Sequence, residues 1–356
     1  MTIPAVMRAV LLTGNGGFDQ LKLRDDVAVP VPGPVEVLIK IGAAGVNNTD
    51  INTRIGWYSK AVAEPTELGG VAGIAGAQDD GWSGAAFRFP RIQGADACGQ
   101  IVALGDGVDP ARMGERVLVE PVFRGSEPFE VVYFGSEVDG AFAQYARVPA
   151  VHAHPITSSL SDAELASFPC AYSAAENMLT RIVLTAGERV LITGASGGVG
   201  SAAVQLAQRR GAVVTAMAGD DKANAVRALG AARVIPRDAD LAALFASDPF
   251  DAAVDVVGGP QFGEILKCLK NGGRYGVAGA ISGPVVDLDL RTLYLKDLRL
   301  IGCTVLEREV FPNLIGYIER GEIKPLLAET YPLASIVEAQ QAFLTKRHVG
   351  KIVLTI

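Results

Sequence analysis

Cysteine is scarce in this chain and forms no paired motif. The 356 residues include four cysteines, which lie far apart in the sequence at Cys98, Cys170, Cys268 and Cys303. A disulfide framework or a zinc knuckle needs closely spaced cysteines, such as C-x-x-C. We therefore expect buried free thiols rather than disulfides or a structural metal site.

The chain also lacks an excess of positive charge and any long apolar run. Its 32 Lys and Arg residues are outnumbered by 39 Asp and Glu residues, which gives a net charge of −7. No basic field is therefore available to hold nucleic acid or an anionic membrane surface. The sequence has neither an apolar run long enough to span a membrane nor a secretory signal pattern near Met1. We expect a cytoplasmic protein without nucleic-acid or membrane partners.

Glycine, in contrast, is abundant, and several of the 41 glycines fall in one short segment. Residues 190–200 read VLITGASGGVG, an apolar run and a glycine turn, and the helical pattern SAAVQLAQRRG follows. This arrangement lets the backbone approach a pyrophosphate and directs a helix N-terminus at it. An ordinary glycine-rich turn is the alternative. We predict a dinucleotide site at Gly194, Ala195, Ser196, Gly197, Gly198, Val199 and Gly200.

Two different patterns divide the chain, whose length suits two domains. Residues 6–150 contain short β-type runs separated by Pro and Gly, which indicates a β-rich, partly barrel-like domain. From about residue 155, strand-like runs alternate with helical patterns, which predicts a parallel sheet with helices on both faces. The last residues, GKIVLTI, predict a closing strand. Residues 59–91 are typical of a long surface loop.

Several motifs in this order resemble one known family. They are GAAGVNNTDINTRIGWY (42–58), IQGADACGQIVALGDGVDPARMGERVLV (92–119), DGAFAQYARVP (139–149) and GASGGVGSAAVQLA (194–207). Together they resemble the medium-chain dehydrogenase/reductase superfamily, and most closely its zinc-independent quinone oxidoreductase branch. The resemblance implies an α/β protein with a GroES-like catalytic domain (1–155 and 302–356) and a Rossmann domain (156–301).

The resemblance also bears on zinc. Zinc members of the family bind the metal through a Cys, a His–Glu pair and a second Cys. Here these places hold Asn47, Ala95–Asp96 and Cys170. A lone thiol cannot hold the ion, because a tetrahedral site needs three protein ligands. We therefore predict no metal, and we expect a structural role for His152 and His154, which have no acidic or thiol neighbours in the sequence.

The type of nicotinamide cofactor depends on the residues after the second strand of the Rossmann pattern. An NAD site of this kind places an acidic residue at the strand end, near 217–219, and this chain has none there. Asp220 and Asp221 come later, and we expect them to cap the next helix. Lys222 stands at a position that related enzymes use for the adenosine ribose or its phosphate, and Arg237 stands where quinone oxidoreductases often have a tyrosine near the adenosine. The resemblance thus implies that these two cations favour the 2′-phosphate of NADPH; the alternative is that both are solvated surface charges.

The family resemblance implies four further cofactor contacts. Lys351 matches a basic residue that approaches the pyrophosphate from the C-terminal segment. The nicotinamide would lie at the ends of two strands, against Gly258, Ala278 and Gly279.

Few side chains are left for catalysis. The amide of Asn47 and the phenol of Tyr58 can each donate a hydrogen bond to a developing oxyanion. We predict a metal-free NADPH-dependent oxidoreductase that transfers hydride to a quinone or an α,β-unsaturated carbonyl. The alternatives are an enoyl-thioester reductase, an alcohol dehydrogenase-like enzyme, or a dinucleotide-binding structural or regulatory protein.

Two expectations concern surfaces. Relatives in the resembled family are commonly dimers through an edge strand of the nucleotide-binding sheet, which here would lie within 298–305. Because an apolar edge strand favours pairing, we expect a homodimer or a higher homo-oligomer. Compared with the compact quinone oxidoreductases of the resembled branch, residues 59–91 are an insertion between Tyr58 and Gly94. This insertion carries Trp82, Phe87 and Phe89 and is predicted to form a wall of the substrate pocket; an interface or a decorative loop is the alternative.

Overall fold

A computed structural model describes residues 2–74, 81–84, 86–127 and 129–356 of the chain. Among these residues the N-terminal part is mainly β-structure. Its strands are β1 (Val6–Leu12), β2 (Leu21–Ala28), β3 (Glu36–Val46), β4 (Arg91–Ile92), β5 (Cys98–Leu104), β6 (Arg116–Val119), β7 (Val122–Arg124), β8 (Val131–Tyr133), β9 (Tyr145–Pro149) and β10 (Ala153–Pro155). Two short helices lie between β3 and β4: α1 (Asn48–Ile55) and α2 (Thr66–Gly69).

The rest of the chain alternates helices and strands. Its helices are α3 (Asp162–Leu165), α4 (Pro169–Arg181), α5 (Gly198–Arg209), α6 (Ala223–Ala228), α7 (Leu241–Phe245), α8 (Phe262–Lys267), α9 (Leu290–Leu295), α10 (Val310–Glu319) and α11 (Ile336–Leu344). Its strands are β11 (Arg189–Ile192), β12 (Val213–Met217), β13 (Arg233–Ile235), β14 (Phe250–Asp255), β15 (Leu269–Val277), β16 (Arg299–Gly302), β17 (Leu327–Pro332) and β18 (Lys351–Thr355).

Six strands form one parallel sheet in the order β13-β12-β11-β14-β15-β16. The central strands are short apolar runs because helices cover both faces of such a sheet. Strand β11 has β12 on one side and β14 on the other, so the side of the sheet on which successive strands are added changes there. This change opens a crevice at the carboxyl ends of the strands. This sheet confirms the Rossmann-like part of the predicted α/β fold.

Strands β3, β5, β6, β9 and β10 form a second, mainly antiparallel sheet with β17 and β18, in which β18 returns to pair with β3. Strands β1, β2 and β4 form a three-stranded sheet, and β7 pairs with β8. Ile352 and Leu354 of β18 are fully buried in the same apolar cluster as Val37 and Ile39 of β3. The predicted closing strand is therefore confirmed. Its pairing brings residues near 350 beside the N-terminal domain.

The predicted loop 59–91 is not wholly irregular, since α2 lies within it and β4 pairs with β1 at its end. Residues 75–80 and 85, which belong to the same predicted loop, lie outside the described residues. None of the described helices is both long and apolar enough to span a membrane.

Candidate active site

The glycine turn predicted from the sequence connects β11 to α5. Gly194 has φ +57°, and Gly197 precedes the first helical residue, Gly198. A Cβ on Gly200 would lie 2.2 Å from the Gly194 carbonyl oxygen, so this position requires glycine. Ala195 donates its N–H to the Met217 carbonyl (3.0 Å), which holds the turn against the end of β12. The turn therefore offers a helix N-terminus with a close backbone approach, which suits a pyrophosphate.

A cavity of about 320 Å³, here called the inner cavity, lies between this sheet and the N-terminal domain. It brings together five of the residues predicted from the sequence: Asn47, Tyr58, Val199, Ala278 and Gly279. Residues far apart in the chain thus meet at the carboxyl ends of the parallel strands. This is where a nicotinamide and an acceptor can be adjacent.

The sequence analysis missed Asp255, which organises the strand ends beside this cavity. The Asp255 carboxylate is fully buried and accepts hydrogen bonds from the Thr193 hydroxyl (2.6 Å) and the Tyr275 hydroxyl (2.5 Å). It also accepts the backbone N–H of Val257 and Gly258. Asp255 therefore fixes the ends of three neighbouring strands, and Gly258 follows with φ +65°.

A second cavity of about 730 Å³, here called the outer cavity, lies beside the end of β12. Lys222 and Arg237 line it, and so do Lys346 and Arg347. The predicted contact of Lys222 and Arg237 with a 2′-phosphate stays a prediction. Lys346 and Arg347 were missed because only the fold brings them there. Lys222 donates to the backbone carbonyl of Lys346, which links the two groups of cations.

Acidic side chains share the outer cavity with these cations. Asp220 and Asp221 line it together with Glu67 and Asp238. The expectation that Asp220 and Asp221 cap the next helix is wrong: Lys222 is the N-cap residue of α6, and no side-chain capping bond is formed there. The strand ends at Met217 and the two carboxylates follow in a separate short turn.

Lysine occupies the place where zinc members of the resembled family hold their metal. The Lys351 ammonium donates to Asp96 Oδ2 (2.7 Å), Asn47 Oδ1 (2.5 Å) and the Val46 carbonyl (3.0 Å). Asp96 Oδ1 accepts the backbone N–H of Cys170 at 2.5 Å. All three ammonium hydrogens are therefore used within the protein. The predicted contact of Lys351 with a pyrophosphate stays a prediction, and it would require one of these bonds to be released.

The same network changes what Asn47 can do. Its amide Nδ2 donates to Asp96 Oδ2 at 2.8 Å, and its Oδ1 accepts from Lys351. Both the nitrogen and the oxygen of the amide are thus already hydrogen-bonded within the protein. Its predicted role as an oxyanion donor would compete with these bonds. Asp50 lies below it and accepts the Asn47 backbone N–H at 2.7 Å. Burial raises the pKa of Asp50 to about 7.

Tyr58 is better placed to donate. Its hydroxyl oxygen is hydrogen-bonded by the side chains of Asn52 and Thr49. Tyr58 also lines the inner cavity, and a phenol can donate a hydrogen bond to an acceptor oxygen there. Burial raises the pKa of Tyr58 well above its usual value, so the phenol keeps its proton at neutral pH.

The surroundings of His152 and His154 differ from the expectation. His152 Nδ1 and His154 Nε2 lie 2.9 Å and 3.3 Å from the same oxygen of Glu120, and Arg124 contacts the other oxygen at 2.8 Å. The expectation that the two histidines lack acidic company is therefore wrong. Burial opposes ionisation, but the hydrogen bonds from the two histidines and the charge of Arg124 lower the pKa of Glu120 to about 2.

Comparison with known proteins agrees with this geometry. Residues 33–158 match the alcohol dehydrogenase GroES-like domain family, and residues 198–320 match the zinc-binding dehydrogenase family. A solved structure of a candidate alcohol dehydrogenase from Sinorhizobium meliloti is 46% identical, with a TM-score of 0.89 and coverage of 99% of this chain and 97% of that one. The chain belongs to the medium-chain dehydrogenase/reductase superfamily.

Relatives of known activity place it in the quinone oxidoreductase-like branch. Quinone oxidoreductase of Rattus norvegicus is 28% identical, and the alignment covers 98% of each chain. Acryloyl-coenzyme A reductase of Metallosphaera sedula is also 28% identical, over 98% of this chain and 100% of that one. The protein is therefore an oxidoreductase of the dinucleotide-dependent kind.

Zinc, which one of the matching families implies, does not fit this chain. Asn47 and Ala95 replace two of the three ligands, and the Lys351 ammonium already lies against Asp96. Among the residues that the structure describes, no group of three His, Cys, Asp or Glu side chains is arranged to hold a metal ion. Zinc independence stays a prediction that rests on this donor chemistry. A dinucleotide, in contrast, fits the turn at Gly194–Gly200.

Proposed function

We propose that the protein is a metal-free, NADPH-dependent oxidoreductase that reduces a small neutral quinone or α,β-unsaturated carbonyl. The observation that carries the proposal is the inner cavity, where Tyr58, Ala278 and Gly279 line the same space. An ion pair of Lys351 and Asp96, bridged by the Asn47 amide, fills the place of the family's metal. Polarisation of the acceptor must then come from neutral hydrogen-bond donors.

Each part of the site has a separate task in this proposal. A reduced nicotinamide supplies a hydride when it is bound. The turn at Gly194–Gly200 holds its pyrophosphate, while Ala278 and Gly279 leave space for the nicotinamide at the strand ends. Tyr58 donates its O–H to the acceptor oxygen, which gains negative charge as the conjugated carbon accepts the hydride.

The first test removes this donor. Tyr58→Phe keeps the ring but loses the hydroxyl, so we expect kcat for a small enone or quinone to fall about 100-fold. The KM should change much less, since the bond strengthens only as charge develops. Tyr331→Phe is the matched control, because the Tyr331 hydroxyl donates to Glu329 on the surface. A Tyr58→Phe enzyme with an unchanged kcat would refute this role of the hydroxyl.

NADPH is proposed over NADH on the cations of the outer cavity. A charge-assisted bond to the 2′-phosphate contributes roughly 1.5–3 kcal/mol, which is about tenfold or more in affinity. Arg237→Ala should therefore weaken NADPH binding about tenfold and leave NADH binding unchanged. The alternative is a preference for NADH, which the carboxylates of Asp220 and Asp221 favour because acidic side chains near this strand end can hold the ribose hydroxyls. Equal or tighter binding of NADH by the wild type would support this alternative.

An enoyl-thioester reductase is a second candidate, because acryloyl-coenzyme A reductase is as similar to this chain as quinone oxidoreductase. A coenzyme A ester brings phosphates that need cations near the cavity mouth. Every described residue that lines the inner cavity is uncharged, which favours a small neutral acceptor. Turnover of acryloyl-coenzyme A with a much higher kcat/KM than a small enone would reverse the assignment. Tight NADPH binding without turnover of any acceptor would indicate a binding protein instead.

A further inference from the structure

The wall of the inner cavity that faces away from the parallel sheet contains two stacked aromatic side chains. The rings of Trp82 and Tyr133 have centroids 4.8 Å apart and planes inclined by 25°. Both side chains line the cavity. The Tyr133 hydroxyl lies 3.1 Å from Cys170 Sγ and 3.4 Å from Thr49 Oγ1, two residues that also line the cavity.

These two residues come from different parts of the chain. Trp82 belongs to the described segment 81–84 of the 59–91 insertion, and Tyr133 ends β8. Glu137 joins them: one carboxylate oxygen accepts the Ser83 N–H (2.9 Å) and the other accepts the Tyr133 N–H (3.1 Å). The stacking therefore has a dedicated polar support outside the cavity.

The remaining aromatic residues of the insertion do not share this role. Phe87 and Phe89 contact each other, with centroids 4.8 Å apart, and pack against the core of the N-terminal domain. Trp82 is thus the aromatic residue that the described part of the insertion contributes to the cavity.

The space and the chemistry of the cavity limit what can lie against this wall. The nicotinamide must take part of the same 320 Å³, so the acceptor has to be small. The described lining residues carry no ionised group to pair with a charged acceptor. An aromatic face prefers a flat π-system, which it stacks at offset or tilted geometry.

We propose that Trp82 and Tyr133, held together by Glu137, form a stacking wall that selects flat, ring-shaped conjugated acceptors over open-chain ones. This inference rests on the proposed function and narrows its substrate class. Trp82 and Tyr133 determine specificity, and Glu137 is a positioning residue.

The test compares a benzoquinone and a cyclic enone with an open-chain enone of similar size, each with NADPH. Trp82→Ala should lower kcat/KM for the ring acceptors about two- to tenfold relative to the open-chain enone, mainly through KM. Trp82→Phe keeps an aromatic face and should restore most of the ratio. Glu137→Ala should raise KM for the ring acceptors more than it raises KM for the open-chain enone.

Phe87→Leu is the matched control, since it changes an aromatic residue of the same insertion that lies outside the cavity lining. All variants should keep the wild-type melting temperature and NADPH affinity. If the wild type reduces the acceptors and Trp82→Ala leaves the ratio of kcat/KM between ring and open-chain acceptors unchanged, the stacking wall is overturned. The proposed function would still stand. Failure of the wild type to reduce any of the three acceptors would overturn both.

Discussion

Lys346 carries an ammonium group in an environment that disfavours its charge. Nζ lies 4.0 Å from the centroid of the Phe343 ring and 3.3 Å from Asn48 Oδ1. Burial lowers the pKa of Lys346 to about 8; the charge of Glu67 opposes this shift and that of Lys222 adds to it. An anion in the outer cavity would supply the missing counter-charge. The residue therefore has the properties of a ligand-binding cation rather than of a solvated surface lysine.

We accordingly expect the preference for NADPH over NADH to depend on pH. Below pH 8 the Lys346 ammonium is charged and attracts the 2′-phosphate, whereas above pH 8 it loses its proton and the attraction falls. The ratio of the NADH and NADPH dissociation constants should therefore decrease as pH rises from 7 to 9. Lys346→Met should start from a lower ratio and remove most of this dependence. A wild-type ratio that is constant over the range would exclude Lys346 from phosphate recognition.

At the scale of single residues, functional side chains close to a sequence motif could be predicted. Side chains that a distant segment of the chain brings to the site could not. Lys222 and Arg237 follow strands β12 and β13, and both line the outer cavity. Lys346 and Arg347 reach the same cavity only because β18 returns to pair with β3. The sequence predicts the closing strand itself, but not that the residues just before it line this cavity.

The strands at the junction of the two domains are joined by one carboxylate. Glu120 directly follows β6, Arg124 ends β7, and His152 and His154 flank the start of β10. The sequence around the two histidines could not identify their partner, since Glu120 lies 32 residues before His152. The periodicity of apolar residues and the composition of a segment locate a strand, but they do not identify the strand next to it in the sheet.

Glu120→Gln should destabilise the protein near neutral pH. The folded protein lowers the pKa of this carboxyl from 4.5 to about 2, so its ionised form stabilises the fold above pH 4.5, and that stabilisation is lost as pH falls toward 2. The shift corresponds to up to about 3 kcal/mol. We expect a lower free energy of unfolding for the variant at pH 7, and a difference from wild type that narrows below pH 4.5. Urea unfolding at several pH values measures both.

The control for this experiment is Glu338→Gln, which changes an exposed carboxylate on α11. It should leave the unfolding curves unchanged. A Glu120→Gln protein as stable as the wild type at pH 7 would mean that the cost of burying the carboxylate cancels its hydrogen bonds.

Across the whole molecule, the order of elements was the most predictable feature. Alternating strands and helices after residue 155 predicted the parallel sheet, because each crossover between parallel strands needs a helix. The stacking of Trp82 on Tyr133 could not be predicted in the same way. It depends on two segments, one in the 59–91 insertion and one at the end of β8, that meet only in the folded chain.

The outer edge of the parallel sheet exposes apolar surface. Strand β16 lies at the end of the strand order, which agrees with the edge strand expected within 298–305. Leu300 of this strand is 39% exposed, and Leu290, Tyr294 and Leu295 of the preceding helix α9 are each more than 60% exposed. An edge strand with free backbone groups and neighbouring apolar side chains is a template for pairing with another chain.

We therefore predict a homodimer in which β16 of two copies pair. Such an interface uses the same patch on both copies, so one substitution acts on it twice. Leu300→Lys should place two like charges at the interface and shift the protein toward the monomer, as measured by light scattering after size-exclusion chromatography. Val31→Lys is the matched control, since Val31 is 78% exposed and lies in the N-terminal domain. A monomeric wild type, or a Leu300→Lys protein that stays dimeric at low concentration, would rule out this edge. Because β16 pairs with β15, whose end leads into Ala278 and Gly279, a monomeric variant should also bind NADPH more weakly if the interface steadies the nicotinamide end of the sheet.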